Sequence, residues 1–442
     1  MQTPTSAGGR SHAGQLRRLL GLGFGLAVIV GSTIGVGILR TPGIVAGHLP
    51  SGAAILALWL AGGIYTLLGA VCLAELGTMV PQAGGYYAYA RRGFGDWVGF
   101  GVGWTDWLTY CTVLAYASIG LAEFCGVLVP ALGGWVRPVA VGTLLLMVAL
   151  QWAGLKVSAR FQEWTTAIKF LAFLALIVAA LTMGSARGLQ SAGGARGLTF
   201  AGVVLALQAI VIAYGGWQSA LYFTEEDRDP GRHLPRAMIG GLVSVIAVYL
   251  LVNLALLAVL PIPDLARSTL PGADAAAALA GDRGKQLITV LSVLSLLPLL
   301  NAILMIGTRI LFAMGRDGLV SRRTAAVNAG GTPGVATLVT TGVALLLIAT
   351  GTFQQLIALA SVFLAVNYCV CCLALVVLRR REPGAVRPFR AWGYPGSAAV
   401  VVVGAVVFLA GVLVNDTPSA MKAAGLLAVG LIGRAVVAKP GR

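Results

Sequence analysis

Charge is what this chain has least of. Asp, Glu, Lys and Arg make up 10% of its 442 residues, the acidic ones number only 15, and His occurs three times. A soluble domain carries roughly 25% charged residues, so an aqueous globule is excluded and lipid is indicated as the solvent. Collagen-like and disordered classes fall with it, because 58% of the chain is hydrophobic. Ligand spacing for metals is missing as well. The six cysteines, Cys72, Cys111, Cys125, Cys369, Cys371 and Cys372, sit in apolar runs with no metal-site spacing, and the Cys369, Cys371 and Cys372 cluster has no His or carboxylate in its own run. They read as small packing residues, and neither a metal nor a cofactor is expected. No Walker A pattern and no nucleophile–base constellation occurs, so ATP drive and enzyme catalysis are not indicated. The net charge of +16 comes without aromatic-interleaved basic stripes or zinc-finger spacing, which argues against nucleic acid as a partner.

Long hydrophobic runs are abundant. Twelve segments approach the ~20 residues that cross a bilayer, beginning near residues 19, 52, 97, 135, 161, 199, 235, 285, 334, 354, 395 and 417. They are continuously apolar, not alternating, which predicts an all-α polytopic membrane protein with twelve transmembrane helices. Residues 1–16 read as a polar tail, since the first apolar run is too long for a cleaved signal and is followed by others. Twenty-one of the 31 Lys and Arg residues fall on the N-terminal side of the bilayer and eight on the other, with Lys169 and Arg309 inside spans. By the positive-inside rule both termini are cytoplasmic and the chain is a multi-pass protein of the cell membrane.

Glycines concentrate in two spans. Gly31-Ser32-Thr33-Ile34-Gly35-Val36-Gly37 interrupts the first and Tyr214-Gly215-Gly216-Trp217 the sixth, with Gly35 and Gly216 181 residues apart. Matched interruptions in two halves mark a transporter built from repeats. Five spans per half is an odd number, so the second half enters from the opposite side and the repeats are inverted. The expected units are 17–184, 199–381 and an appended 395–437. Unwinding at mid-membrane frees backbone N–H and C=O groups that lipid cannot satisfy, so the breaks must face a polar ligand. A zwitterion fits: N–H groups near Ile34 to Gly37 take a carboxylate with help from the helix dipole, and carbonyls take an ammonium. Close helix packing through small residues is the competing reading.

The runs GSTIGVGILRTPG (31 to 43), AELGTMVPQAGGYYAYARRGFG (74 to 95), AYGGWQSALYFTEEDRDPGRHLPRA (213 to 237), NAILMIGTRILFAMGRDGLVS (301 to 321) and RPFRAWGYP (387 to 395) resemble the amino acid–polyamine–organocation family, in particular its L-type amino acid transporter branch. The resemblance covers roughly residues 20 to 400. It implies a five-plus-five inverted repeat of the leucine-transporter type with broken helices 1 and 6, two extra C-terminal helices, and alternating-access transport of an α-amino acid. Carried over by position, Ser32, Thr33, Ile34, Gly35, Val36 and Gly37 hold the substrate carboxylate, and carbonyls around Val30, Ile212, Ala213 and Tyr214 the ammonium, with Gly215 and Trp217 beside them. The family's aromatic gate position is occupied here by Ile212. Animal members pair covalently with a glycoprotein through a cysteine between spans three and four; residues 131–138 contain none, so no covalent partner is expected.

Ionisable groups at membrane depth cost ~2.5–3.5 kcal/mol each on insertion scales and ask for a reason. Lys169 lies in span five, where the resemblance implies an ammonium in place of a sodium ion, touching the first break. That makes transport sodium-independent, either as exchange or coupled to protons. Asp106 in span three is open to three readings: a proton site, a partner of a basic residue, or a reader of a cationic substrate. Glu123 sits near the outer end of its span, and Glu75 is expected to pair with loop arginines. Glu225 and Glu226 follow the inner half of span six and are expected to gate it through ion pairs with Arg91, Arg92 or Arg316. Asn301, Thr308, Asn367 and Tyr368 are further polar groups at depth. The uncharged pocket candidates Ile212, Trp217, Ser219 and Thr109 favour a neutral amino acid; a cationic substrate and a non-transporting sensor on the same fold are the alternatives. A channel is disfavoured, for want of pore-lining charge rings or a carbonyl filter.

Overall fold

The computed structural model describes residues 16–184, 198–268, 270–351, 353–415 and 417–437. Residues 1–15 of the expected tail, with Arg10, lie outside the described residues, as do Arg187, Arg196, Lys439 and Arg442 of the charge segregation. Fifteen α-helices follow in order among the described residues: α1 Leu22–Thr33, α2 Val36–Ala46, α3 Gly52–Met79, α4 Tyr86–Phe94, α5 Asp96–Leu128, α6 Val136–Trp152, α7 Leu155–Met183, α8 Phe200–Ala213, α9 Pro230–Val259, α10 Ile262–Arg267, α11 Pro271–Arg316, α12 Gly334–Thr350, α13 Phe353–Arg381, α14 Gly396–Asn415 and α15 Thr417–Val437. No strand appears among them; a helix satisfies its backbone within its own segment, the condition for burial in hydrocarbon.

Helix ends follow local chemistry. The Ser51 hydroxyl accepts the Ala54 N–H at 3.2 Å to start α3, and the Thr199 hydroxyl accepts the Gly202 N–H at 3.1 Å to start α8. Gly95 joins α4 to α5 at φ +88°, a conformation other residues adopt only with strain. The eighth apolar run, expected from residue 285, is preceded by a separate short helix: α11 is two helices meeting at Ala280–Gly281, where both residues leave helical φ/ψ and Gly281 takes φ +60°, and the long apolar helix follows that break. The alanine-rich stretch before the bend favours helix without being apolar enough to be read as span.

Nine helices among the described residues are long and apolar enough to cross a membrane, and ten if the bent pair α1 and α2 counts as one span. α12 is apolar but only 17 residues long, ~25 Å at 1.5 Å per residue, and falls short of the ~30 Å hydrocarbon core.

α5 packs along α11 at the centre of the molecule, α3 against α9, and α1 between α9 and α7. The chain before α1 is stitched to the segment that follows the 3-10 segment Trp217–Phe223. The N–H groups of Leu19 and Leu20 both donate to the Glu226 carbonyl at 3.0 Å, and the Arg228 N–H donates to the Leu20 carbonyl at 3.1 Å. Glu75, fully buried, accepts from Arg379 at the end of α13 and from the Ala391 N–H at 2.7 Å, and it lies 3.2 Å from Arg387. That knot ties α3 to the 387–391 loop.

Candidate functional site

The first span is broken by two residues in extended conformation. Ile34 (φ −74°, ψ 97°) and Gly35 (φ −134°, ψ −155°) separate α1 from α2, whose axes diverge by 46°. No side chain caps α2. The first N–H groups of a helix have no intrahelical acceptor, so those of Val36 and Gly37 are available to a ligand, on the positive end of the helix dipole. A Cβ on Gly35 would meet only Leu299, at 3.8 Å, so the backbone there is open. The hydroxyl of Thr33 is buried beside the break and has no partner.

The second break lies against the first. α8 ends at Ala213, Gly216 turns the chain at φ +118°, and a 3-10 segment, Trp217–Phe223, continues inward. A Cβ on Gly216 would fall 2.6 Å from the Ser32 carbonyl, so only glycine lets the two breaks touch. The Ser32 hydroxyl bonds the Val28 carbonyl, lies 2.7 Å from the Ser219 hydroxyl and 3.0 Å from the Gly216 carbonyl. The Gly216 N–H is taken by Gln218 at 3.0 Å. Tyr249 on α9 bridges both breaks, its hydroxyl 2.7 Å from the Thr33 carbonyl and 2.9 Å from that of Ala213. Trp59 and Tyr214 pack on its ring at 5.4 and 4.9 Å.

Three of the four carbonyls expected to hold an ammonium already accept one bond. Val30 takes the Ile34 N–H at 3.0 Å, Ile212 the Gly215 N–H at 2.9 Å, and Ala213 the Tyr249 hydroxyl. A carbonyl has two lone pairs, so each keeps one. The Ile212 side chain, 39% exposed, lines an apolar cleft of about 490 Å³ between α3, α8, α13 and α14, with Tyr65, Leu364, Tyr368 and Val403; no residue of the first break lines it.

Lys169 reaches the first break from α7. Its ammonium donates to the Gly31 carbonyl at 2.8 Å, to the Ile34 carbonyl, and to the Ser295 carbonyl on α11 at 3.2 Å. Gln162 and Thr166 precede it on the same helical face, and Thr166 donates to the Ala27 carbonyl at 3.1 Å. Gly31 permits this contact, since a Cβ there would stand 2.3 Å from the Gln162 amide and 2.5 Å from the Thr166 hydroxyl.

A family profile described as Amino acid permease matches residues 25–431. The chain belongs to the amino acid permease family. It is 28% identical to the serine/threonine exchanger SteT of Bacillus subtilis, over 91% of the permease and 93% of that protein. It is 27% identical to the b(0,+)-type amino acid transporter 1 of Oryctolagus cuniculus, over 85% and 79%, and 29% identical to the Asc-type amino acid transporter 1 of Homo sapiens, over 86% and 75%. The permease is therefore a multi-pass membrane transporter of amino acids, and its family consists of transporters, not enzymes.

Beyond the 3-10 segment of the permease, Glu225 pairs with Arg316, one of the three arginines the sequence suggested, while Glu226 takes a different partner. Both oxygens of Glu225 accept from Arg316, at 2.7 and 2.8 Å, and one also accepts the Ala83 N–H. Glu226, wholly buried, accepts from Arg309 at 3.0 and 3.1 Å, and that guanidinium lies 5.5 Å from the Phe223 ring. Arg91 and Arg92 are not in this cluster. Arg91 pairs with Asp96 and Asp317 at 2.7 and 2.6 Å, and Arg92 with Glu382 at 2.6 Å. The Arg92 guanidinium holds the Glu382 carboxyl below the usual carboxylate range.

Asp106 is not paired with a base; its one partner is the hydroxyl of Tyr222 at 2.8 Å. Thr105, its neighbour, bonds Asn367 at 3.0 Å, Asn301 bonds Gln162 at 3.0 Å, and Tyr368 bonds Gln218 at 3.2 Å. Glu123 is exposed. Among the described residues no group of three or more His, Cys, Asp or Glu is placed to hold a metal ion. Sequence reasoning missed Tyr249 and the role of Arg309. The 162, 166, 169 spacing of polar residues on one helix face was the available signal for the contact of α7 with the break.

Proposed function

We propose that this chain is a sodium-independent exchanger of neutral α-amino acids, with twelve spans in a five-plus-five inverted repeat plus two C-terminal spans, both termini cytoplasmic, and no covalent glycoprotein partner. Lys169 carries the reading. Its ammonium occupies three carbonyls at the junction of α1, α7 and α11, the kind of oxygen cluster a sodium ion would need, and supplies a monovalent charge there. The substrate carboxylate binds the first N–H groups of α2. The ammonium takes the free lone pairs of carbonyls flanking the two breaks, and the uncharged Thr109, Trp217 and Ser219 surround the side chain. Glu225 with Arg316 and Glu226 with Arg309 close the inner path and part when it opens. The printed name of the bacterial relative, a serine/threonine exchanger, supports exchange of small neutral substrates.

The test is uptake of labelled neutral amino acids into proteoliposomes, preloaded or empty, with sodium or choline outside. Uptake confined to preloaded vesicles and indifferent to sodium is the expected result. A sodium requirement, or concentrative uptake into empty vesicles under an inward proton gradient, overturns it.

A further inference from the structure

Asp106 is a buried carboxyl group that substrate binding, as laid out above, leaves unused. It stands ten positions into α5, ~15 Å from the cytoplasmic end of the helix, and is 0% exposed. Its Oδ2 accepts the Tyr222 hydroxyl, while its Oδ1 has no partner. The hydroxyls of Tyr86 and Tyr110 are also buried and also unpartnered. Both rings pack on Tyr222, at 5.8 and 5.3 Å between centroids. Gly85, at φ +49°, clamps the same ring from α4, since a Cβ there would lie 2.5 Å from it.

Among the described residues, the groups facing Asp106 include no free cation. Tyr86 comes from α4, Tyr110 from α5 itself, Tyr222 from the 3-10 segment, and Tyr368 and Cys371 from α13. α11 brings Arg309, whose guanidinium is engaged by Glu226. α12 has no titratable residue, α6 has only Arg137 in its first turn at the opposite end, and Arg434 of α15 lies over Trp97 and Phe100. A lone carboxylate with one hydrogen bond and no counter-ion is costly in such surroundings. Asp106 lines none of the four principal cavities among the described residues and is fully buried, surroundings in which a proton is the smallest cation that can neutralise it.

We propose that Asp106 is a proton-binding site that latches the inner half of span six onto α5. With an O–H bond at Oδ1 the neutral acid stays in the dry cluster and holds Tyr222. When that bond breaks, the proton passes to water on the cytoplasmic side, the electron pair stays on the carboxylate, and the charge draws water in, so that Tyr222 lets go. Closure takes a proton back from the same water. Because it enters and leaves on one side, the proton sets the rate of exchange without being carried. This rests on the transport reading above.

The experiment is exchange of labelled serine and of labelled lysine in proteoliposomes, with internal pH stepped from acid to alkaline at fixed external pH, together with infrared spectra of the same protein. The wild-type exchange rate is expected to change several-fold with internal pH. Asp106→Asn, a fixed neutral amide, is expected to flatten that dependence and to remove a carboxylic-acid C=O band. Tyr222→Phe, which deletes a hydrogen bond made in the closed, protonated state, is expected to move the midpoint to lower pH and serves if Asp106→Asn does not fold. A flat wild-type profile, a dependence that persists in Asp106→Asn, or an unmoved midpoint in Tyr222→Phe overturns the proposal. Selective loss of lysine exchange in Asp106→Asn also overturns it, in favour of a reader of cationic side chains. If the wild type exchanges nothing at any pH, the transport reading fails and the infrared band alone decides: present in the wild type and lost in Asp106→Asn it sustains the proton site, absent from the wild type it ends it.

Discussion

At Lys169 one side chain holds two carbonyls of the first break, Gly31 and Ile34, together with the Ser295 carbonyl of α11. Lys169→Met removes these bonds from a buried site, and a lost bond to a charged group costs ~1.5–3 kcal/mol. Exchange in proteoliposomes is expected to fall at least about tenfold, equivalent to ~1.4 kcal/mol, with a lower thermal midpoint. Unchanged sodium-independent exchange would show that the ammonium does no more than pack. Lys169 is legible in the sequence because a lone cation in an apolar run has few uses. Tyr249 is not, because a tyrosine in such a run is ordinary; its work depends on two carbonyls, 180 residues apart in sequence, that folding brings to one hydroxyl. A smaller effect belongs to Glu382, outside the spans. Its pKa is lower in the folded chain than in the unfolded one, so its contribution is complete above the unfolded value and is lost as pH falls through the folded one. The pair with Arg92 is partly exposed and contributes less than about 1 kcal/mol. The difference in thermal midpoint between wild type and Arg92→Gln is expected to be small at neutral pH and to vanish once the pH has fallen below the depressed folded value of Glu382.

The two broken spans differ in what their glycines do. Gly216 holds a left-handed conformation and touches the Ser32 backbone, so Gly216→Ala combines backbone strain of ~1–2 kcal/mol with a steric conflict against main chain. It is expected to abolish exchange and to lower folded yield, measured by size-exclusion profile beside uptake. Gly35 has an extended backbone and open space where a Cβ would go. Gly35→Ala is therefore expected to fold as well as the wild type while raising KM, because the added methyl stands beside the first N–H groups of α2. A loss of stability in Gly35→Ala comparable with that in Gly216→Ala contradicts this division of roles. Both glycine runs were visible in the sequence as interruptions of apolar stretches. Which glycine meets backbone and which meets space is set by the distance between segments far apart in the chain, and no local pattern encodes that. The short helix that precedes the Ala280–Gly281 break was hidden for a related reason: an alanine-rich segment carries little hydropathic signal.

Across the whole molecule, the helical class and the order of the apolar segments were readable from composition and run length, while the partners of the charges after the 3-10 segment were readable only in part: Arg316 was foreseen for this cluster and Arg309 was not. Glu225 and Glu226 are adjacent in sequence, yet one turns to Arg316 in a half-buried pair and the other to Arg309 in a fully buried one. Breaking a buried pair on one side leaves an uncompensated charge at ~3–5 kcal/mol, whereas a half-exposed pair contributes far less. Arg309→Met is accordingly expected to impair folding. Glu225→Gln is expected to fold and to open the cytoplasmic end more often, read as faster amide hydrogen exchange across residues 219–224; protection equal to that of the wild type there would remove Glu225 from the gate. The chain before α1 is bonded to the same segment through Leu19, Leu20 and Arg228. Whatever is attached ahead of Leu16 therefore has a handle on the inner opening. A purification tag or fluorescent protein fused at that end is expected to alter transport rate, and one placed after α15 is the safer choice for measuring it.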